Sequence, residues 1–154
     1  MLNSINEIKK ELIQKDRKEL LEFCIQLSKY KKDNKEFLSF LLFQKHDLTA
    51  YILQVNEQTN GLFENINFSS VYFIKKSVRK ILRLVTKYNR FALSPEVEVE
   101  TLIFFCKCFI QYHIPIQNSV QLKNIYQSQL LKIDKVLSML HPDLQYDLRK
   151  KMQS

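Results

Sequence analysis

The sequence predicts an all-α fold: a single-domain antiparallel helical array or bundle of about seven to eight helices. Three observations carry this. One glycine and three prolines among 154 residues leave too few turn formers for a sheet, whose tight turns need residues at positive φ. Apolar side chains recur at helical rather than alternating spacing. Cap-forming residues are followed three positions later by glutamate at three points in the first 36 residues, a spacing that lets two side chains satisfy free backbone donors reciprocally. At 45% hydrophobic and 26% charged residues, the chain has the composition and length of one folded domain with a core.

The elements follow in order. Ser4 with Glu7, Asp16 with Glu19 and Asp33 with Glu36 predict helices near 4–14, 17–31 and 34–44. Residues 37–43 are apolar around the whole axis, which predicts a buried segment. Asp47 caps a fourth helix, expected to close at Asn60-Gly61, where glycine takes the left-handed conformation. Residues 62–68 read either as a packed loop or as more of helix four. Ser69 or Ser70 starts a fifth helix ending near Arg90 or Phe91. Ser94-Pro95-Glu96 is a strong start: a cap, a proline at the first helical position, then an acid on the positive dipole end. That helix runs to Ile114, where Pro115 breaks it. From Leu102 to Tyr112 its only charge is Lys107 and apolar residues surround the axis, so it belongs at the centre. A seventh helix covers about 118–140, and His141-Pro142 opens a short eighth. The short connections favour antiparallel neighbours.

Charge is concentrated in the fifth helix. Residues 62–93 hold seven basic residues and one acid, Glu64, whereas 1–61 hold ten and nine, and 94–154 seven and six. Three quarters of the formal +8 therefore lies on a fifth of the chain. At roughly 100° per residue, Lys75, Lys76, Arg79, Lys80, Arg83, Lys87 and Arg90 occupy one arc of about 140°. Val71, Ile74, Val78, Ile81, Leu82, Leu84, Val85 and Tyr88 occupy the rest of the circle without mixing. The stripe is about 22 Å long. Glu96 and Glu100, just past the following turn, are expected to pair with its C-terminal half, leaving Lys75, Lys76, Arg79 and Lys80 as the residues open to a partner.

Other chemistry is sparse. A single glycine excludes glycine-rich phosphate loops, and no cofactor is implied. Cys24, Cys106 and Cys108 are an odd set that argues against a disulfide scaffold and for a reducing, cytoplasmic setting. Cys106 and Cys108 point about 200° apart on a helix and cannot share a metal; they read as small buried hydrophobes, and Cys24, among Phe23, Ile25 and Leu27, reads the same way. His46, His113 and His141 show no ligand spacing, so no metal site is expected. A Cys–His pair assembled only in space, such as Cys106 with His46, or a carboxylate site, is the enzymatic alternative. His141-Pro142-Asp143 matches the tripeptide of J-domain co-chaperones. The long helix those domains need after it is expected to be missing, because eleven residues follow Asp143. The tripeptide reads instead as an ordinary helix start.

The segments Val78-Arg79-Lys80-Ile81-Leu82-Arg83, Lys87-Tyr88-Asn89-Arg90-Phe91 and Leu140-His141-Pro142-Asp143-Leu144-Gln145-Tyr146-Asp147 resemble an uncharacterised family of small all-helical bacterial proteins. The resemblance implies a helical fold and brings no activity, cofactor or ligand.

These readings converge on a non-enzymatic interaction module that presents the 75–90 face to an acidic protein or other polyanion. Nucleic acid is the alternative occupant of the same face, disfavoured because only Tyr72 shares that arc as a stacking ring. Membrane docking is not expected, since the apolar face lacks tryptophan and belongs to the core. The Phe-rich stretch 62–73 leaves room for a homo-oligomer.

Overall fold

The computed structural model describes residues 2–154 as eight α-helices. They are α1 (Ile5–Ile13), α2 (Arg17–Tyr30), α3 (Lys32–Ser39), α4 (Leu48–Glu64), α5 (Val71–Ala92), α6 (Pro95–Gln111), α7 (Val120–Leu137) and α8 (Pro142–Gln153). A π-helical turn, Phe40–Gln44, extends α3, and a 3₁₀ turn, Ile116–Asn118, precedes α7. No strand occurs among the described residues. The fold is all-α. No described helix is long and apolar enough to cross a membrane. The chain divides into two compact units, residues 2–43 and 44–154.

In residues 2–43, local hydrogen bonding sets the helix starts. Glu7 accepts from the Ser4 N–H at 2.7 Å while Ser4 Oγ accepts from the Glu7 N–H at 3.3 Å. Asp16 and Glu19 form the same reciprocal box. The third expected box does not form. α3 begins two residues early, at Lys32, with no side-chain cap. The Asn34 amide donates to the Leu27 carbonyl at 2.8 Å and ties the start of α3 to α2, and Asp33 falls within the first turn rather than at the cap. Residues 37–43 are not buried all round either. Phe40 is buried, but Phe37, Leu41, Leu42 and Phe43 are exposed. The wider π turn changes the angular register, so of the six rings and leucines only Phe40 is buried and Leu38 is half-buried.

In residues 44–154, α6 is the hub. It packs against α4, α5, α7 and α8, and nine of its seventeen residues are buried. This is the all-round apolar helix expected from Leu102 to Tyr112. Phe63 of α4 meets Phe105 at 5.6 Å and stacks on Tyr112 at 5.8 Å between ring centres. That contact explains a second departure from expectation. Gly61 does not close α4; the helix continues to Glu64 because Phe63 must stay helical to reach α6. The left-handed closure occurs instead at Leu93 (φ 48°), which ends α5 one residue before the Ser94 cap of α6. α6 ends at Gln111, and His113 (φ 52°) turns the chain before Pro115.

Candidate anion-binding face

α5 is started by Ser70, whose Oγ accepts from the Phe73 N–H at 3.3 Å. Its rotation about its own axis is fixed from one side. Ile74, Val78, Ile81 and Val85 are buried in the core. The Tyr51 hydroxyl of α4 donates to the Tyr88 carbonyl at 2.9 Å. The Thr101 hydroxyl of α6 lies 2.8 Å from Asn89 Oδ1. With those positions held, Lys76, Arg79, Lys80, Arg83 and Arg90 are exposed, and Lys75 and Lys87 are half-buried. The Lys87 ammonium sits 5.4 Å from the Tyr88 ring centre, a cation–π contact.

Neither acid expected to blunt this face, Glu96 or Glu100, pairs with it. Glu100 pairs with Lys151 of α8 at 3.1 Å, and Glu98 pairs with Lys132 of α7 at 3.1 Å. Glu96 is exposed and forms no ion pair with the stripe among the described residues. α6 presents Glu98 and Glu100 to the helices that follow it in the chain, not to α5. Among the described residues no carboxylate forms a salt bridge with Lys75, Lys76, Arg79, Lys80, Arg83 or Arg90. The open part of the face is therefore longer than the four residues expected from sequence.

The arrangement carries an internal cost. Lys75–Arg79, Lys76–Lys80, Arg79–Arg83 and Arg83–Lys87 are like-charge pairs four residues apart, each unfavourable by about 0.2–0.5 kcal/mol. No acid on α5 offsets them. An anion laid along the stripe would remove this repulsion and gain attraction together. At its N-terminal end Tyr72 is 63% exposed and meets Phe73 edge to face at 5.5 Å. Phe63 and Ile66 are buried, so the apolar surface of 62–73 shrinks to Phe68, Tyr72 and Phe73.

The other candidate chemistries are placed as follows. Cys106 and Cys108 are buried, and burial pushes each thiol up to about 12 from its ordinary 9.0, which keeps both protonated at neutral pH. His46 is exposed while Cys106 is buried. Cys24 is exposed, contrary to expectation, because α2 buries no residue at all. All three cysteines are free. No cluster of three metal-ligating side chains occurs among the described residues. His141 Nδ1 accepts from the Asp143 N–H at 3.2 Å and caps α8, which is the helix start expected for that tripeptide.

A feature that sequence reasoning missed is a groove of ≈ 630 Å³ whose walls include Ile52, Asn56, Ile103, Phe104 and Lys107. Asn56 Oδ1 is buried there without a hydrogen-bond partner. The groove's Glu100 and Lys151 neutralise each other. Only the lone Lys107 in an apolar run hinted at it in the sequence. Comparison with protein-family models, curated proteins and solved structures finds no match.

Proposed function

We propose that this protein is a non-enzymatic interaction module whose α5 face binds an acidic protein segment or another extended polyanion. The observation that carries the reading is the row of six basic side chains without an intramolecular acid. A solvated surface of this size ordinarily mixes both signs, and here the repulsion between successive turns is left uncorrected. The face is rigid, since α5 is pinned by its buried side and by Tyr51 and Thr101. An extended acidic segment could follow the stripe for about 22 Å. The three free thiols fit a reducing cytoplasm.

The test is charge reversal of Lys75, Lys76, Arg79 and Lys80 together, with binding to fluorescent poly-glutamate measured at about 50 mM salt. The variant is expected to keep its helical circular dichroism and to lose about 100-fold in affinity, from at most about 1 kcal/mol per exposed pair. A folded variant that binds as tightly as the parent ends the proposal. Exposed Tyr72 favours nucleic acid as the second reading. Random-sequence RNA of equal charge, assayed in parallel, decides between them. Tighter RNA binding that drops on Tyr72→Ala selects the second.

A further inference from the structure

We propose that the groove between α4 and α6 binds an apolar α-amino acid zwitterion, either free or as the two ends of a short peptide. The site is separate from the α5 face. Its volume of ≈ 630 Å³ lies within the range of roughly 300–1,000 Å³ usual for small-molecule sites. Its apolar wall includes Ile52 from α4 and Ile103 and Phe104 from α6. Ile52 and Ile103 are buried and Phe104 is half-buried. The wall is thus part of the packed α4–α6 pair and is in place before an occupant arrives, which lowers the ordering cost of binding.

Charge selects the occupant. Four charged residues line the groove: Glu57 on α4, Glu100 and Lys107 on α6, and Lys151 on α8. Glu100 and Lys151 meet at 3.1 Å and neutralise each other. Glu57 and Lys107 remain, one charge of each sign on two packed helices. Neither forms an ion pair among the described residues. The Lys107 ammonium meets only the neutral Ser154 hydroxyl, at 3.3 Å. Lys107 is half-buried, which keeps its stem in the groove wall. A simple carboxylate would suit Lys107 and be repelled by Glu57. A simple amine would meet the reverse. A molecule with one ammonium and one carboxylate answers both, and an apolar side chain between them covers Ile52, Ile103 and Phe104.

Asn56 adds a third requirement. It lines the same groove one residue before Glu57, and its Oδ1 is buried without a donor. A buried acceptor left unpaired is destabilising. The asparagine amide turns about a broad torsion, and that turn brings Oδ1 toward the groove. There an ammonium is the strongest donor an occupant offers. One ligand group therefore serves both Asn56 and Glu57, while the carboxylate serves Lys107.

Titration calorimetry of the full chain with leucine, phenylalanine and the dipeptide Leu-Leu tests this, at about 150 mM salt to screen the α5 stripe. At least one of the three is expected to reach half-saturation below about 1 mM. The tightest of them tells a free amino acid from a peptide. Its N-acetylated and C-amidated forms each lack one charge and are expected to bind at least about tenfold more weakly. Lys107→Met, which keeps an apolar stem, and Glu57→Gln, at an exposed position, are each expected to weaken binding about tenfold. Glu57→Gln keeps the test decisive if Lys107→Met disturbs the fold. Lys80→Glu on α5 is expected to change nothing. In the NMR spectrum of the unaltered protein, the Asn56 side-chain amide should shift on saturation while α5 backbone amides stay in place. Half-saturation above about 1 mM for all three ligands overturns the proposal. So does equal binding of the capped forms, undiminished binding by folded Glu57→Gln, equal loss in Lys80→Glu, or a shift confined to α5. None of these readouts depends on whether α5 binds a polyanion.

Discussion

Among the described residues, 44–154 bury twenty-three apolar side chains and 2–43 bury one, although both regions have well-capped helices with apolar residues at helical spacing. The contrast is sharpest between two phenylalanines. Phe63 is fully buried against Phe105 and Tyr112, while Phe43 is 69% exposed. Both stand in apolar runs. What separates them is a neighbour: α6 offers a second apolar surface to α4, and α1–α3 enclose no such surface. Capping and periodicity make a helix. Only a facing helix makes a core.

That comparison can be broken experimentally. Phe63→Ala should cost about 3–5 kcal/mol by chemical denaturation, through lost transfer energy and the cavity left among the rings. Phe43→Ala, measured at low protein concentration, should stay within about 0.5 kcal/mol of the parent. Equal effects would show that residues 2–43 hold a core of their own.

The thiols sharpen the contrast further. Cys106 and Cys108 have folded-state values raised from 9.0 to about 12 by burial. The folded chain therefore keeps protons that the unfolded chain releases. Their contribution is fully present below pH 9 and is lost as pH rises toward about 12. Alkaline denaturation is expected to show a fall of a few kcal/mol over that window, reduced in Cys106→Val. At neutral pH, mass spectrometry after brief iodoacetamide treatment should find one modified cysteine, Cys24. Labelling of Cys106 without unfolding would mean the core is open.

The smallest expected effect is at Gly61. It lies inside α4, with φ in the ordinary helical range and no atom within 4 Å of the place a Cβ would occupy. Gly61→Ala should raise stability by about 0.5–1 kcal/mol, read as a higher denaturation midpoint at unchanged slope. A loss would mean that the left-handed closure expected from sequence is formed after all.

Much of the fold was legible because it is local. Ser4, Asp16, Ser94 with Pro95, and His141 with Pro142 announce helix starts through interactions spanning two or three residues, and the structure has helices at each. The hub role of α6 was legible because its apolar residues circle the axis. The errors share one origin, which is contact between elements. Gly61 carries the usual mark of a helix end, yet Phe63 is required by α6 two residues later. Asp33 has a cap's spacing, yet Asn34 is already tied to Leu27. Residues 37–43 read as buried because seven adjacent residues cannot reveal whether another surface exists to cover them. The composition of the α5 stripe was plain in the sequence. Its freedom from acids was not, since Glu98 and Glu100 find Lys132 and Lys151 across distances that no spacing rule describes.

The placement of α6 also bears on how the chain reaches its fold. Within residues 44–154 the packed pairs α4–α5, α5–α6 and α6–α7 join consecutive elements, and α4–α6 and α6–α8 skip one. Little loop-closure entropy opposes such contacts, which puts this region among fast-folding topologies. During synthesis, however, α4 and α5 leave the ribosome before the helix they must pack on. At about 5–20 residues per second, their leucines, isoleucines and phenylalanines wait on the order of seconds for α6. The rate of translation, rather than the search for contacts, then sets when this core closes.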